Sequence, residues 1–384
     1  ALGEGDKELA RRLATNTLVF GVLLSVVFVG IGWLNLPYLA GLLGATGETL
    51  ELSVLYLSII IPSLPLLVTG VIGSAILRAH GDARRAMMAT VIGGVVNAVL
   101  DPILIFGFGL DLTGAALASV AARIAIGLAA LYPVIRFYGG LHMPRPGALL
   151  RDAGPILTIA FPAMLTQLAT PIGQAYVTRS MAVYGEDAVS GMAIIGRLTP
   201  VAFGVVFALS GAIGPIIGQN FGARKYDRVR RAYLDGVLFT AAFVIVMSAL
   251  LFLLRVQIAA LFQADGLSRE LIFLFCGPLA LVFFFNGLIF VSNAAFNNLG
   301  WPFYSTWISW GRNTLGTIPL VLLGGYFWGA PGVLIGQAAG GLVFGIFAAW
   351  LALRVIRGSA KPAAAPTDGF RRQARLLQLF HNRR

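Results

Sequence analysis

The chain has 384 residues, 58% of them apolar and 11% charged, with 47 glycines and a formal net charge of +12. An ordinary soluble domain is about half apolar and about a quarter charged, so a soluble single-core fold is excluded, as are disordered and collagen-like chains. One cysteine, Cys276, and three scattered histidines, His80, His142 and His381, exclude a disulfide framework, thiolate clusters and metal spacings such as H-E-x-x-H.

What remains is a polytopic membrane protein. A helix needs about 20 apolar residues to cross a bilayer core of about 30 Å. The first such stretch, roughly 16–33, follows the polar amphipathic segment Ala1–Arg12, which has no signal-peptide pattern. Then come 53–77, 86–108 and 114–135, a segment 136–153 with prolines and arginines that reads as a linker, and 155–178, 188–217, 232–254, 270–296, 303–323 and 331–353. Runs such as LVFGVLLSVVFVGIGW do not alternate, so the ten spans are helices rather than barrel strands. Past 357 the composition turns flexible. Its end, FRRQARLLQLFHNRR, reads equally as a basic amphipathic helix on anionic lipid or as a frayed tail.

Charge sets the orientation. Segments on the side of the chain start hold 22 of the 28 lysines and arginines, including Arg78, Arg84, Arg85, Arg230 and Arg231. The positive-inside rule places these loops in the cytoplasm, and the same asymmetry attributes the net charge to topology rather than nucleic acid.

A shift of 219 residues superposes the two halves without a gap over about 80 positions. Gly3 falls on Gly222, Arg11–Arg12 on Arg230–Arg231, Gly47 on Gly266 and Gly81 on Gly300; with small further shifts, Pro102 falls on Pro319 and Gly114 on Gly332. Six spans separate equivalent points, which makes this a parallel repeat about an axis along the membrane normal. The second half carries 155–178 and 188–217 ahead of its matching segment. The first half should therefore lack two helices, and on that reading the chain is incomplete and does not couple efflux by itself. The domains read as an N-lobe of four helices (1–135), a cytoplasmic linker (136–153), a C-lobe of six helices (154–356) and a basic tail (357–384).

The segments GQNFGARKYDRVRRA, RAHGDARRAMM and NAVLDPILIFGFGLDLTGAALAS, taken together, resemble the multidrug and toxic compound extrusion (MATE) family. The resemblance covers the chain up to about Arg357. It implies an all-α fold of twelve transmembrane helices in two lobes, ten of them present here, and cation-driven antiport of amphipathic, often cationic, compounds.

Of sixteen acids, only Asp101 sits well inside a span, roughly 8–10 Å from the outer end. An unpaired charge there costs at least ~2.5–3.5 kcal/mol, so Asp101 is a functional candidate with a proton or Na+ as its partner. Asn97 lies one turn earlier on the same face, and Ser119 on the next helix reaches nearly the same depth. Pro102 cannot donate to the carbonyl of Ala98 and frees it. Carboxylate, amide oxygen, hydroxyl and carbonyl make a hard oxygen set. The resemblance implies the same site: Asn97 and Asp101 match the family's first-lobe pair, Ser119 stands where a Thr would be, and Ala115 supplies the carbonyl. A further Asp of the family's first helix has no counterpart here. A structural ion pair between Asp101 and Arg123, one turn deeper than Ser119, stays open beside the cation site.

In the second lobe Gln167, Gln174, Asn286, Asn293 and Asn297 line apolar helices as candidates for a substrate cleft or for interhelical hydrogen bonds. Some family members carry an acid where Asn286 stands, so the resemblance implies no second charged cation site. Arg197 and Arg312 read as partnered structural charges, and Cys276 as a buried small side chain. No nucleotide motif is present, which makes transport secondary, and no paired carboxylates suggest an enzyme. The reading is a monomeric multi-pass protein of the bacterial inner membrane that exports an amphipathic small molecule, with no cofactor besides the coupling ion and no metal beyond Na+ at Asp101. A flippase for a lipid-linked or polyanionic substrate is the alternative.

Overall fold

The computed structural model describes residues 2–42, 46–141 and 146–359, and every regular element within them is helical. The chain runs through α1 (Lys7–Leu34), α2 (Leu36–Leu42), α3 (Gly47–Ile60), α4 (Leu64–Ala79), α5 (Ala83–Pro102) and α6 (Asp111–Phe137). It continues through α7 (Pro146–Ala182), α8 (Glu186–Gly222), α9 (Tyr226–Leu261), α10 (Gly266–Leu274), α11 (Ala280–Asn298), α12 (Pro302–Gly311) and α13 (Ile318–Ser359). Two compact units meet between Ile156 and Leu157. The expected linker over 136–153 is already helical from Pro146 onward. The basic end of the tail, His142 and Arg145 lie outside the described residues.

Among the described residues, nine helical stretches are long and apolar enough to cross a membrane. The ninth, Pro302–Ser359, has 58 residues, about 87 Å if it ran straight at 1.5 Å per residue. It cannot be one crossing, and it reverses at Gly329, whose φ of 62° suits glycine alone. That turn separates the ninth and tenth predicted spans. The two arms of α13 then meet backbone to backbone. A Cβ on Gly332 would strike the Gly324 carbonyl, one on Gly336 the Leu320 carbonyl, and one on Gly340 the Gly316 carbonyl. These contacts step by four residues in opposite directions, the register of an antiparallel helical hairpin closed by small residues.

The repeat is written into the backbone as well as the sequence. Left-handed residues recur at the same offset: Gly5 and Arg224 (φ 84° and 58°), Gly47 and Gly266 (55° and 51°), Gly81 and Gly300 (84° and 85°). The helix ends before the last pair close alike, Asp82 N–H donating to Leu77 O and Trp301 N–H to Phe296 O, both at 2.9 Å. This is the glycine-terminated stop that satisfies a helix's last carbonyls.

The second unit has the larger core, where Phe203 and Phe283 stack at 4.1 Å above buried Met181, Leu271 and Ile272. Outward, Leu23, Val27, Phe28 and Ile31 of α1 are more than half exposed, as suits a lipid-facing surface. In the first unit Asp152 of α7, 4% exposed, accepts from Arg12 Nε at 3.0 Å and Asn16 Nδ2 at 2.7 Å. This buried cluster ties the start of α7 to α1. At the α4–α5 turn Asp82 accepts from Arg85 Nη1 (2.6 Å), Arg85 N–H (3.1 Å) and Tyr138 Oη (2.7 Å). Burial pushes the Asp82 carboxyl up, but these hydrogen bonds and the Arg85 charge outweigh it and hold the group below its ordinary value.

Candidate functional site

Helices α5 and α6 pack closely because glycine lets them. A Cβ on Gly93 would run into Ile126 and lie 3.2 Å from Ala122 O, and one on Gly114 would lie 2.8 Å from Leu104 O. Gly93, Asn97 and Asp101 recur every four residues, so the amide and the carboxylate continue the stripe of α5 that faces α6. Asn97 Nδ2 donates to Asp101 Oδ1 at 3.4 Å. The antiparallel register set by the two glycines brings Ser119 level with this turn. Pro102 ends the regular helix, and a π turn follows over Ile103–Gly107, with Phe108 N–H reaching back to Ile103 O at 3.0 Å. The chain thus reorganises where proline withdraws a donor.

Ser119 and Ala115 share the Asp101 depth but lie on the next stripe of α6, that of Arg123. Among the described residues no hydrogen bond joins Ser119 to Asp101. Two of the four expected ligands meet, and the other two are neighbours in depth.

Arg123 does not pair with Asp101. Its Nη1 donates to Ile60 O at 2.8 Å and to Ser63 Oγ at 2.6 Å. The cause lies in α3 and α4. In the tight turn Ile61–Ser63 the Leu64 N–H bonds Ile61 O instead of Ile60 O, which leaves the Ile60 carbonyl to Ser63 Oγ and to the guanidinium. Pro62 likewise leaves Ser58 O to Trp33 Nε1 at 3.3 Å. The open alternative of an Asp101–Arg123 ion pair is therefore not realised: Arg123 is engaged with a carbonyl freed by the helix break, and Asp101 has no ion pair among the described residues.

In the second unit, Gln174 Oε1 accepts from Gln337 Nε2 at 3.2 Å, joining α7 to α13. Asn293 Nδ2 donates to Ser309 Oγ at 3.3 Å, and Ser305 Oγ donates to Asn297 Oδ1 at 3.1 Å, joining α11 to α12. Asn286 lies against Gly341, while Gln167 is exposed. Of these candidates, Gln174, Asn293 and Asn297 are thus engaged in helix packing. Arg197 is exposed, and Cys276 is fully buried as expected.

Arg312 corrects the sequence reading. The sequence implies a partner for it, yet no acid pairs with it among the described residues, and its Nε is buried without a hydrogen bond. It opens a π turn, Arg312–Gly316, whose Gly316 and preceding Gly311 pack on the Phe344 ring. Sequence reasoning missed Gln337, in the Gly- and Ala-rich α13, and Ser309 on α12 because isolated neutral polar residues carry no spacing signal.

The MatE family model matches residues 1–103 and 162–323. An FAD transporter of Shewanella oneidensis is 29% identical over 371 residues, 92% of this chain and 80% of that protein. The multidrug export protein MepA of Staphylococcus aureus is 28% identical over 284 residues; the match takes in 70% of this chain and 60% of MepA. Among solved structures, a mutant of the Vibrio cholerae MATE transporter VcmN superposes with a TM-score of 0.87 at 25% identity, covering 93% of this chain and 82% of that one. Members of this family are transporters rather than enzymes, and this multi-pass helical chain belongs to the MatE family.

Proposed function

We propose that this chain is a secondary antiporter in which Na+ or H+ binds at Asp101 and drives export of an amphipathic small molecule across the bacterial inner membrane. The observation that carries the coupling is the Asn97–Asp101 pair: a carboxylate inside a span, held by one amide at 3.4 Å and left without an ion pair among the described residues. Such a group pays its desolvation cost only while a cation or proton neutralises it. Ser119 and the Ala115 carbonyl, at the same depth, are the further oxygens. The test is ethidium efflux from proteoliposomes under separately imposed Na+ and H+ gradients, measured on the twelve-helix form that the repeat implies. Efflux should follow one gradient and vanish in Asp101→Asn; efflux indifferent to both would overturn the coupling.

The orientation puts the loops with Arg78 and Arg230 in the cytoplasm, on the charge asymmetry. A cysteine introduced at Ala83 should stay unlabelled by an impermeant thiol reagent outside intact cells, and labelling would reverse the topology.

A second reading, an anionic substrate, is favoured by Arg312. The relatives also divide on substrate, one being a multidrug exporter and the other an FAD transporter.

A further inference from the structure

Helices α11 and α12 run antiparallel along a polar seam. Asn286, Asn293 and Asn297 recur at seven and four residues on α11. On the partner, Ser305, Ser309 and Arg312 recur at four and three, continuing from α12 into the π turn. The bonds Asn293 Nδ2 to Ser309 Oγ and Ser305 Oγ to Asn297 Oδ1 fix the register. They place Arg312 at a depth between Asn293 and Asn286. Three atoms on this seam are buried without partners: Arg312 Nε, Asn286 Oδ1 and Asn293 Oδ1.

Native interiors rarely leave such groups unsatisfied, and an uncompensated guanidinium is the costliest of them. The acids of the second unit sit elsewhere. Among the described residues, Glu186, Asp187, Asp227 and Asp265 lie in or just before the first turns of their helices, Glu270 lies one turn into α10, and Asp235, at a depth like that of Arg312, is exposed on α9. No ion pair joins any of them to Arg312 among the described residues. The seam therefore carries a part-buried guanidinium, its Nε unpartnered, at a depth between the two amides. A half-turn of either amide exchanges its oxygen for an NH2 group, adding donors beside the guanidinium.

We infer that the seam of Arg312, Asn286 and Asn293 is a binding site for an anionic oxygen group, a phosphate or carboxylate. This deepens the second reading above and rests on the chain being a transporter. A planar guanidinium suits such a group through paired hydrogen bonds, and low dielectric strengthens them. The group comes either from a soluble amphipathic solute or from a lipid headgroup.

The test is equilibrium binding to the purified full chain in detergent, followed by fluorescence of 1-naphthyl phosphate. Neutral 1-naphthyl glucoside and cationic 1-naphthylmethylammonium serve as controls, and short-chain phosphatidic acid competes. Naphthyl phosphate should bind at least tenfold tighter than either control. Arg312→Met should weaken it at least tenfold, Arg312→Lys less, and Asn286→Ala several-fold. Arg312→Met should fold at least as well as the parent, since it removes a part-buried charge that has no ion pair among the described residues. Should it not fold, Arg312→Lys and Asn286→Ala carry the comparison. Tight displacement by phosphatidic acid assigns the group to a headgroup, and weak displacement assigns it to a soluble solute. Equal binding of phosphate and cation, or phosphate binding unchanged in the folded Arg312 and Asn286 variants, overturns the site. No gradient enters the measurement, so gradient-independent efflux would overturn the coupling while leaving this result standing.

Discussion

Asp101→Asn separates a cation site from a structural charge. The carboxylate takes one hydrogen bond, from Asn97 Nδ2 at 3.4 Å, and has no ion pair among the described residues. The introduced amide offers the same oxygen to the same donor, so the loss is one long bond to a charged acceptor, within about 1 kcal/mol of stability. Had Asp101 neutralised Arg123, the same change would strand a buried cation at about 3–5 kcal/mol. The assay is thermal unfolding of the purified protein, with Na+ exchanged for N-methylglucamine at constant ionic strength and with pH varied. A cation at ten times its dissociation constant stabilises the native state by RT ln 11, about 1.4 kcal/mol. The parent should therefore gain that much from Na+ or from protonation, and Asp101→Asn should start near the parent's stability and gain nothing. A variant that loses several kcal/mol at the outset, or that keeps the full cation response, refutes the reasoning.

Three other outcomes follow from the packing. Gly336→Ala forces a methyl into the Leu320 carbonyl and within 2.7 Å of Val321 N, so it should lose about 1–3 kcal/mol; Gly204→Ala, with nothing within 4 Å, should gain about 0.5–1 kcal/mol, and equal Tm values would disprove the hairpin contact. Asp152→Ala leaves Arg12 and Asn16 without their acceptor and should cost about 2–3 kcal/mol, less than a fully enclosed pair because the Arg12 side chain is 30% exposed; chemical denaturation of parent and variant measures it. Since Asp82 titrates below its unfolded value, its contribution is complete above about pH 4 and is lost as pH falls through the lower folded value. Asp82→Asn should remove that part of the acid loss from a Tm-against-pH series, and an unchanged acid limb would dismiss the Arg85–Tyr138 cluster as its source.

Much of the fold was legible because the bilayer imposes it. Span lengths, the absence of strands and the reversal between the last two spans all follow from apolar length, and the 219-residue repeat foretold where the backbone turns left-handed. The Asn97–Asp101 pair was legible too, since i and i+4 on a helix must share a face. What sequence could not supply was the other end of each polar side chain. An Asp101–Arg123 pair stays open on sequence because the two lie at similar depth on adjacent helices. The actual acceptor of Arg123, Ile60 O, exists only because the turn at Ile61–Ser63 redirects the Leu64 N–H, a backbone event that no charge count registers. Asp152 read as an ordinary linker acid, yet it is the most buried carboxylate among the described residues, because α1 brings Arg12 and Asn16 to it.

The same distinction decides which intramembrane charges are available for work. A charge with a permanent partner inside the protein stabilises one arrangement and cannot exchange ligands without losing that energy. Arg123 is of this kind, with two fixed acceptors within 2.8 Å. Asp101 and Arg312 are not: one has a single long contact with an amide, the other a buried Nε with none. Asp101 lies just before a π turn and Arg312 opens one, so both sit where the backbone departs from the regular ladder. On the proposed reading the carboxylate recruits a cation and the guanidinium an anion, because an uncompensated charge is costly in low dielectric. On that reading, the first unit's unpaired carboxylate is where a cation comes and goes and the second unit's guanidinium is where an anionic group does, with Asn286 Oδ1 and Asn293 Oδ1 left unpartnered on the same seam as Arg312.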